Sequence, residues 1–239
     1  MLQVFKTTKE VLDAAAEYFI STAKEAIAKQ GRFTVALSGG SSPKGLFELL
    51  ASEYHSQVEW SKVFFFFGDE RYVPADHPDS NALMAKKALF DPLNISPQQI
   101  FAIDTSLEPH ATAEAYQQEI EKHFAPRSTT FDLIFLGLGD DAHTASLFPH
   151  TDVVNAKDAG VREIFVEDKK VFRITFTAPL LNQARHIAFL VFGSSKADAV
   201  HHVLQGDKDY NQFPAQLIQP LNGDVTWFMD ETAAARLKQ

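Results

Sequence analysis

The sequence predicts a three-layer α/β fold built on a mostly parallel sheet. Short apolar runs of strand length recur along the 239 residues, and segments with the 3.6-residue period of helices separate them. Several of these runs are apolar throughout, as strands buried on both faces are. Four of them pass at once into small or charged residues, at the carboxyl ends where open α/β sheets bind ligands.

In chain order, residues 3–7 read as a short edge strand. From 10 to 30 the apolar positions Val11, Ala14, Ala15, Phe19, Ala23 and Ile27 fall at helical spacing, and Gly31 ends the helix. Residues 33–37 (FTVAL) form a buried strand that runs into Ser38, Gly39, Gly40, Ser41, Ser42, Pro43 and Lys44. Pro43 fits the first turn of a helix, with Ser42 as its cap. Residues 63–67 form the next strand, whose Phe65, Phe66 and Phe67 are core residues, and Gly68, Asp69, Glu70 and Arg71 follow it. After a proline loop at 75–80 come a helix over 82–90, a turn region over 91–98, a short strand at 101–103 and a helix over 109–124. The strand 133–136 leads into GLGDDAH at 137–143 and then into a run that reads as a helix start, which would carry Ser146.

Residues 152–163 are weakly patterned. An alternating strand covers 171–177, and Pro179 opens a helix or turn. The apolar strand 187–192 runs into Gly193, Ser194, Ser195 and Lys196, then a helix over 197–204. A short segment at 214–218, a last strand at 225–229 and a terminal helix over 231–237 complete the chain. With no repeat, linker or break in composition, 1–239 is expected to be a single domain.

Composition narrows the partners. The chain is 45% hydrophobic and 22% charged, as ordinary globular domains are. Its formal charge of −9 argues against a nucleic-acid partner but leaves room for a small anion held by a local cluster of donors. The absence of cysteine removes disulfides, thiolate metal sites and a cysteine nucleophile. The segment MLQVFKTTKEVL has no signal-peptide core, and no apolar run approaches the roughly 20 residues of a membrane span. The expectation is a cytoplasmic monomer or weak homodimer with no membrane partner.

The four strand ends carry the chemistry. Ser38, Gly39, Gly40, Ser41 and Ser42 fit either a phosphate cradle made of N–H groups and hydroxyls or a plain strand-to-helix turn. Lys196 could reach the same anion or simply be solvated. Asp69, Glu70 and Arg71 suit either a surface ion-pair set or a site in which Arg71 holds phosphate or carboxylate. His143 is the candidate proton-transfer group, because an imidazole titrates near 6.5, and Asp141 or Asp140 could hold its tautomer. A structural histidine capping the next helix is the alternative. Ser146 lacks the G-x-S-x-G elbow of a serine nucleophile. Asp76, His77 and Asp79 make a weak metal cluster, and neither a metal nor a cofactor is expected. No G-x-G-x-x-G or Walker pattern supports nucleotide binding.

Several long segments, in order along nearly the whole chain, resemble the 6-phosphogluconolactonase family. They are LSGGSSPKGLF (37–47), GDERYVP (68–74) with Ser80 and Asn81, GLGDDAHTASLFP (137–149), RITFTAPLLNQARHIAFLVFGSSKADAV (173–200) and PAQLIQP (214–220) with Trp227 and Asp230. The resemblance implies a Rossmann-like fold of the type shared with glucosamine-6-phosphate deaminases and ribose-5-phosphate isomerases. It also implies hydrolysis of 6-phospho-D-glucono-1,5-lactone, a small-molecule substrate. By resemblance, His143 would be the base, oriented by Asp141. Arg71, Arg173, Lys196 and the Ser38 to Ser42 turn would surround the phosphate and sugar, with Arg71 or loop N–H groups at the oxyanion. A glucosamine-6-phosphate deaminase or other isomerase using Asp69 or Glu70 as base is the enzymatic alternative, and a non-catalytic sugar-phosphate regulator is the other. One position departs from the family, which has glycine where this chain has Ala142. A positive φ there would strain alanine by roughly 1 kcal/mol.

Overall fold

The structure is a computed structural model that describes residues 1–167 and 170–238. In chain order its strands are β1 (Leu2–Phe5), β2 (Phe33–Leu37), β3 (Val63–Phe67), β4 (Asp69–Arg71), β5 (Leu133–Leu136), β6 (Val161–Val166), β7 (Val171–Phe176), β8 (His186–Val191) and β9 (Asp224–Asp230). The helices are α1 (Thr8–Gln30), α2 (Ser41–Ser52), α3 (Asn81–Ala85), α4 (Pro109–Phe124), α5 (Ala178–Leu181) and α6 (Ala197–Gln205). Six strands pair in parallel in the order β1-β9-β8-β5-β2-β3, while β4, β7 and β6 form a separate antiparallel sheet. The α/β class with a mostly parallel sheet is therefore as expected.

The run of phenylalanines in β3 follows from a strand whose side chains alternate between two covered faces. Phe65 meets Trp60, which stacks on Phe19 of α1, while Phe66 meets Phe124 of α4. Helix α1 starts on a reciprocal cap, in which Thr7 Oγ1 accepts from Glu10 N and Glu10 accepts from Thr7 N, and it ends at Gly31 with φ of +79°.

The structure corrects several local expectations. Residues 69–71 are not merely the polar end of a strand but a strand of their own. Gly68 N donates to Leu37 O, and the chain then leaves the main sheet as β4, pairing Arg71 with Arg173 of β7. The alternating strand at 171–177 thus belongs to the small sheet. Helix α2 is preceded by Gly40 with φ of +106° and has no side-chain cap, so Ser42 lies inside the first turn. Residues 101–103 are not a strand: among the described residues the backbone of this segment pairs with β3 only through the adjacent bridge between Phe65 and Ile100 and through Phe101 N to Phe65 O. The 82–90 helix is α3 followed by a π-helical turn over Lys86–Phe90.

The run 144–150 directly after His143 is not helical. Ala142, Ala145 and His150 have φ of +61°, +48° and +62°, values that a right-handed helix cannot contain. Residues 231–236 form turns rather than a helix, and the Asp230 carboxylate accepts from Ala233 N and Thr232 Oγ1. Among the described residues no helix is long and apolar enough to cross a membrane.

Candidate active site

Because β8, β5, β2 and β3 are parallel neighbours, their carboxyl ends share one edge of the sheet, and the four polar segments read from the sequence meet there. They enclose a cavity of about 190 Å³. Ser38 and Gly39 line it from the β2 end, Asp69 and Arg71 from β4, and Arg173 from β7. The loop after β5 contributes Gly137, Leu138, Gly139, His143 and Thr144, and Lys196 comes from the turn after β8.

His143 Nδ1 lies 2.5 Å from Asp141 Oδ1, and the same carboxylate oxygen accepts from His143 N at 3.1 Å. A carboxylate only accepts, so Nδ1 carries the hydrogen, and Nε2 is the nitrogen that bears the lone pair in the neutral ring. Burial alone would push the Asp141 carboxyl up, but the hydrogen bonds and charge of His143 outweigh it and hold it below its ordinary value. The imidazole stacks on Phe148 with ring centroids 4.2 Å apart. Gly139 makes the arrangement possible: a Cβ there would lie 2.0 Å from His143 Nδ1. Ala142, with φ of +61° and 1% exposure, closes the turn through Ala142 N to Gly139 O at 3.0 Å.

The facing wall is cationic. Arg71 and Arg173 sit abreast on paired strands, and the Nε of each is buried without a hydrogen-bond partner. Arg71 Nη1 donates to Asp79 O at 2.7 Å. Burial, and then the charge of Arg71, draw the Arg173 guanidinium below its ordinary pKa. Lys196 Nζ lies 2.7 Å from Asp140 Oδ1, so the two adjacent aspartates have different partners.

The glycine-serine turn divides. Ser38 Oγ donates to Phe135 O, which joins β2 to β5, whereas Gly40, Ser41 and Ser42 open α2 outside the cavity lining. Gly39 must lack a side chain, since a Cβ there would come within 1.7 Å of Asn81 Oδ1.

The reading of Asp69 and Glu70 as a surface ion-pair set is corrected, because both are buried. Glu70 accepts from Arg71 N, Asn81 N, Ala82 N and Ser80 Oγ, which uses up the carboxylate in holding the start of α3 against β4. Asp69 Oδ2 accepts from Ser146 Oγ at 2.7 Å, and Ser146 N donates to Thr175 Oγ1. Ser146 is thus a buried tie between the His143 loop and the small sheet, not a helix residue. Asn81 and Phe148 support the site without any sequence reading of their roles. The tight packing of Asn81 on Gly39 pairs residues distant in the chain, a contact that residue spacing does not encode. Among the described residues no group of three or more histidine, aspartate or glutamate side chains could hold a metal ion.

A model of the family described as glucosamine-6-phosphate isomerases/6-phosphogluconolactonase matches residues 6–227. The chain belongs to that family. Within the family it is similar to a 6-phosphogluconolactonase of Synechocystis sp., 44% identical over 219 residues, which are 90% of this chain and 88% of that protein. The Haemophilus influenzae 6-phosphogluconolactonase is 36% identical over 98% of this chain and 97% of its own. Among solved structures, the 6-phosphogluconolactonase from Trypanosoma cruzi superposes with a TM-score of 0.88 at 27% identity, covering 100% of this chain and 97% of that one. A monomeric glucosamine-6-phosphate deaminase shares the fold, with a TM-score of 0.85 at 20% identity and 99% of each chain covered.

Proposed function

We propose that this single-domain chain hydrolyses 6-phospho-D-glucono-1,5-lactone to 6-phospho-D-gluconate in the cytoplasm, with His143 as general base. The observation that carries the reading is the Asp141–His143 pair on one wall of a cavity whose other wall is cationic. His143 Nε2 takes a proton from water as the water oxygen bonds to C1, and the carbonyl electrons move to the exocyclic oxygen. The tetrahedral oxyanion then re-forms the carbonyl, the bond from C1 to the ring oxygen breaks, and the imidazolium gives its proton to that oxygen. Asp141 holds the tautomer and offsets the imidazolium charge, while Arg71 or loop N–H groups stabilise the oxyanion. Arg173, Lys196, Ser38 and Gly39 form the phosphate and sugar side, whose binding energy positions C1 against the water. The similarity to 6-phosphogluconolactonases supports this reaction over deamination. So does Glu70, whose carboxylate accepts four hydrogen bonds in holding α3 against β4 and does not line the cavity.

The test is lactone hydrolysis at controlled pH with the spontaneous rate subtracted. The wild-type protein accelerates it, and His143→Ala lowers kcat by roughly 10²–10⁴-fold, the range of general-base catalysis. A wild-type rate equal to background would refute the lactonase reading. An undiminished rate in His143→Ala would refute the role of the histidine.

A further inference from the structure

The lysine of the cavity does not stand alone. Lys196 Nζ donates to Asp140 Oδ1 at 2.7 Å, and Ser195 Oγ donates to the same oxygen at 3.3 Å. The two sides of this pair see different surroundings. Lys196 lines the cavity and its side chain is 26% exposed, whereas Asp140 is outside the lining and 67% exposed. The pair therefore sits at the mouth, ammonium inward and carboxylate outward, and bridges the ends of neighbouring strands β5 and β8. The hydrogen bond from Lys196 holds the Asp140 carboxyl below its ordinary value, so its charge is constant through the neutral range.

An ammonium has three N–H donors. One is committed to Asp140, and the others remain for a ligand in the cavity. Any anion that takes them lies one ammonium away from a fixed negative charge. The repulsion grows with the charge of the anion and is screened by salt, because the carboxylate is solvent-facing. We propose that Asp140 is a built-in counter-anion for Lys196 that weakens the hold on phosphorylated ligands and so speeds release of the more highly charged product. The proposal rests on the reading of the cavity as a sugar-phosphate site. Lactone opening turns a dianion into a trianion by adding a carboxylate, so the same fixed charge disfavours product more than substrate. Asp140 is then a positioning and charge-setting residue, acting through Lys196 and touching no reacting atom.

Substitution separates the charge from the contact. Asp140→Asn keeps an oxygen that can accept from Lys196 and removes the charge, while Asp140→Glu keeps the charge. The first readout is inorganic phosphate at pH 8, measured as a competitive inhibitor of lactone hydrolysis and by its shift of the thermal unfolding midpoint. In Asp140→Asn the inhibition constant falls by about three- to tenfold at an ionic strength of about 20 mM, and the gain shrinks below about twofold near 1 M salt. Asp140→Glu stays near wild type. Inhibition by 6-phosphogluconate tightens by a larger factor than inhibition by phosphate. An inhibition constant that is unchanged or raised in Asp140→Asn, or a gain that survives high salt, would overturn the proposal and leave Asp140 as a plain anchor. The thermal shift needs no turnover, so it decides the role of Asp140 even if lactone hydrolysis were absent.

Discussion

Ala142 stands where a left-handed backbone is required, one residue from the proposed base, and the consequence of changing it can be worked out from three terms. With φ of +61°, alanine carries a strain of about 1 kcal/mol that glycine does not. Against that relief, Ala142→Gly removes a methyl that is 1% exposed, a loss of about 0.8 kcal/mol. It also frees the unfolded chain, a loss of about 0.4–1 kcal/mol. The net effect is a destabilisation below about 1 kcal/mol, or a fall in Tm of at most about 4 °C for a chain of this size. Ala142→Val is different in kind. A β-branched residue is a steric outlier at positive φ, and two extra methyls must enter a filled space, so the expected loss is about 3 kcal/mol or more. Urea and thermal unfolding of the two variants measure the contrast. Lactone hydrolysis by the glycine variant remains within about threefold of wild type, because the loop is also held by Gly139 N to His143 O and Ala215 N to Ala142 O. A valine variant within 1 kcal/mol of wild type, or a glycine variant more than about 2 kcal/mol less stable, would refute the left-handed assignment and the ledger with it.

Two further expectations concern stability. Ser146→Ala removes a buried donor from the Asp69 carboxylate and should lower the unfolding free energy by about 1–3 kcal/mol, measured by urea titration; a loss under about 0.5 kcal/mol would mean that Asp69 is satisfied without it. His123 sits among Phe64, Phe66, Phe101 and Phe124, and burial, followed by the charge of Arg32, lowers its pKa to about 4. The unfolded histidine binds its proton near 6.5 and the folded one resists it, so stability is full above pH 6.5 and falls as the pH drops toward 4. Partial solvent access reduces the effect to about 1–2 kcal/mol. Unfolding of wild type and His123→Leu at pH 4.5, 5.5 and 7.5 should show a shallower decline in the variant, and parallel declines would contradict the assignment.

The elements that were legible are those whose residues face one environment throughout. Strands β3 and β5 are apolar from end to end, β2 is buried throughout with Thr34 its one polar residue, and α4 begins at Pro109 and ends at Phe124 as its periodicity indicates. The convergence of four strand ends followed from parallel pairing alone. The stretch Asp69, Glu70 and Arg71 was not legible as a strand, because charged residues form one only when distant partners take up the charge. Here those partners are β7, the start of α3 and Ser146. The loop from Ala142 to His150 misled for a related reason: its composition suits a helix, while three positive φ values forbid one. Within the site, the histidine, its aspartate and the cations were legible as chemistry at strand ends. The division of labour between Asp140 and Asp141 was not, since adjacent residues in a turn diverge by backbone geometry that spacing does not report.

The sheet order also governs how the molecule can assemble. Strand β9 lies between β1 and β8, so Leu2 waits for Trp227 before it has a partner in the sheet. In a chain emerging amino end first, β2, β3 and β5 can pair early and bring Ser38, Asp69 and His143 toward one edge. Arg173 and Lys196 arrive only with β7 and the turn after β8. Closing the long loop back to β1 comes after that and carries the largest entropic penalty. The His143 loop is itself tied to later segments, through Ser146 N to Thr175 Oγ1 and Ala215 N to Ala142 O, so both halves of the pocket wait for the carboxyl-terminal third of the chain.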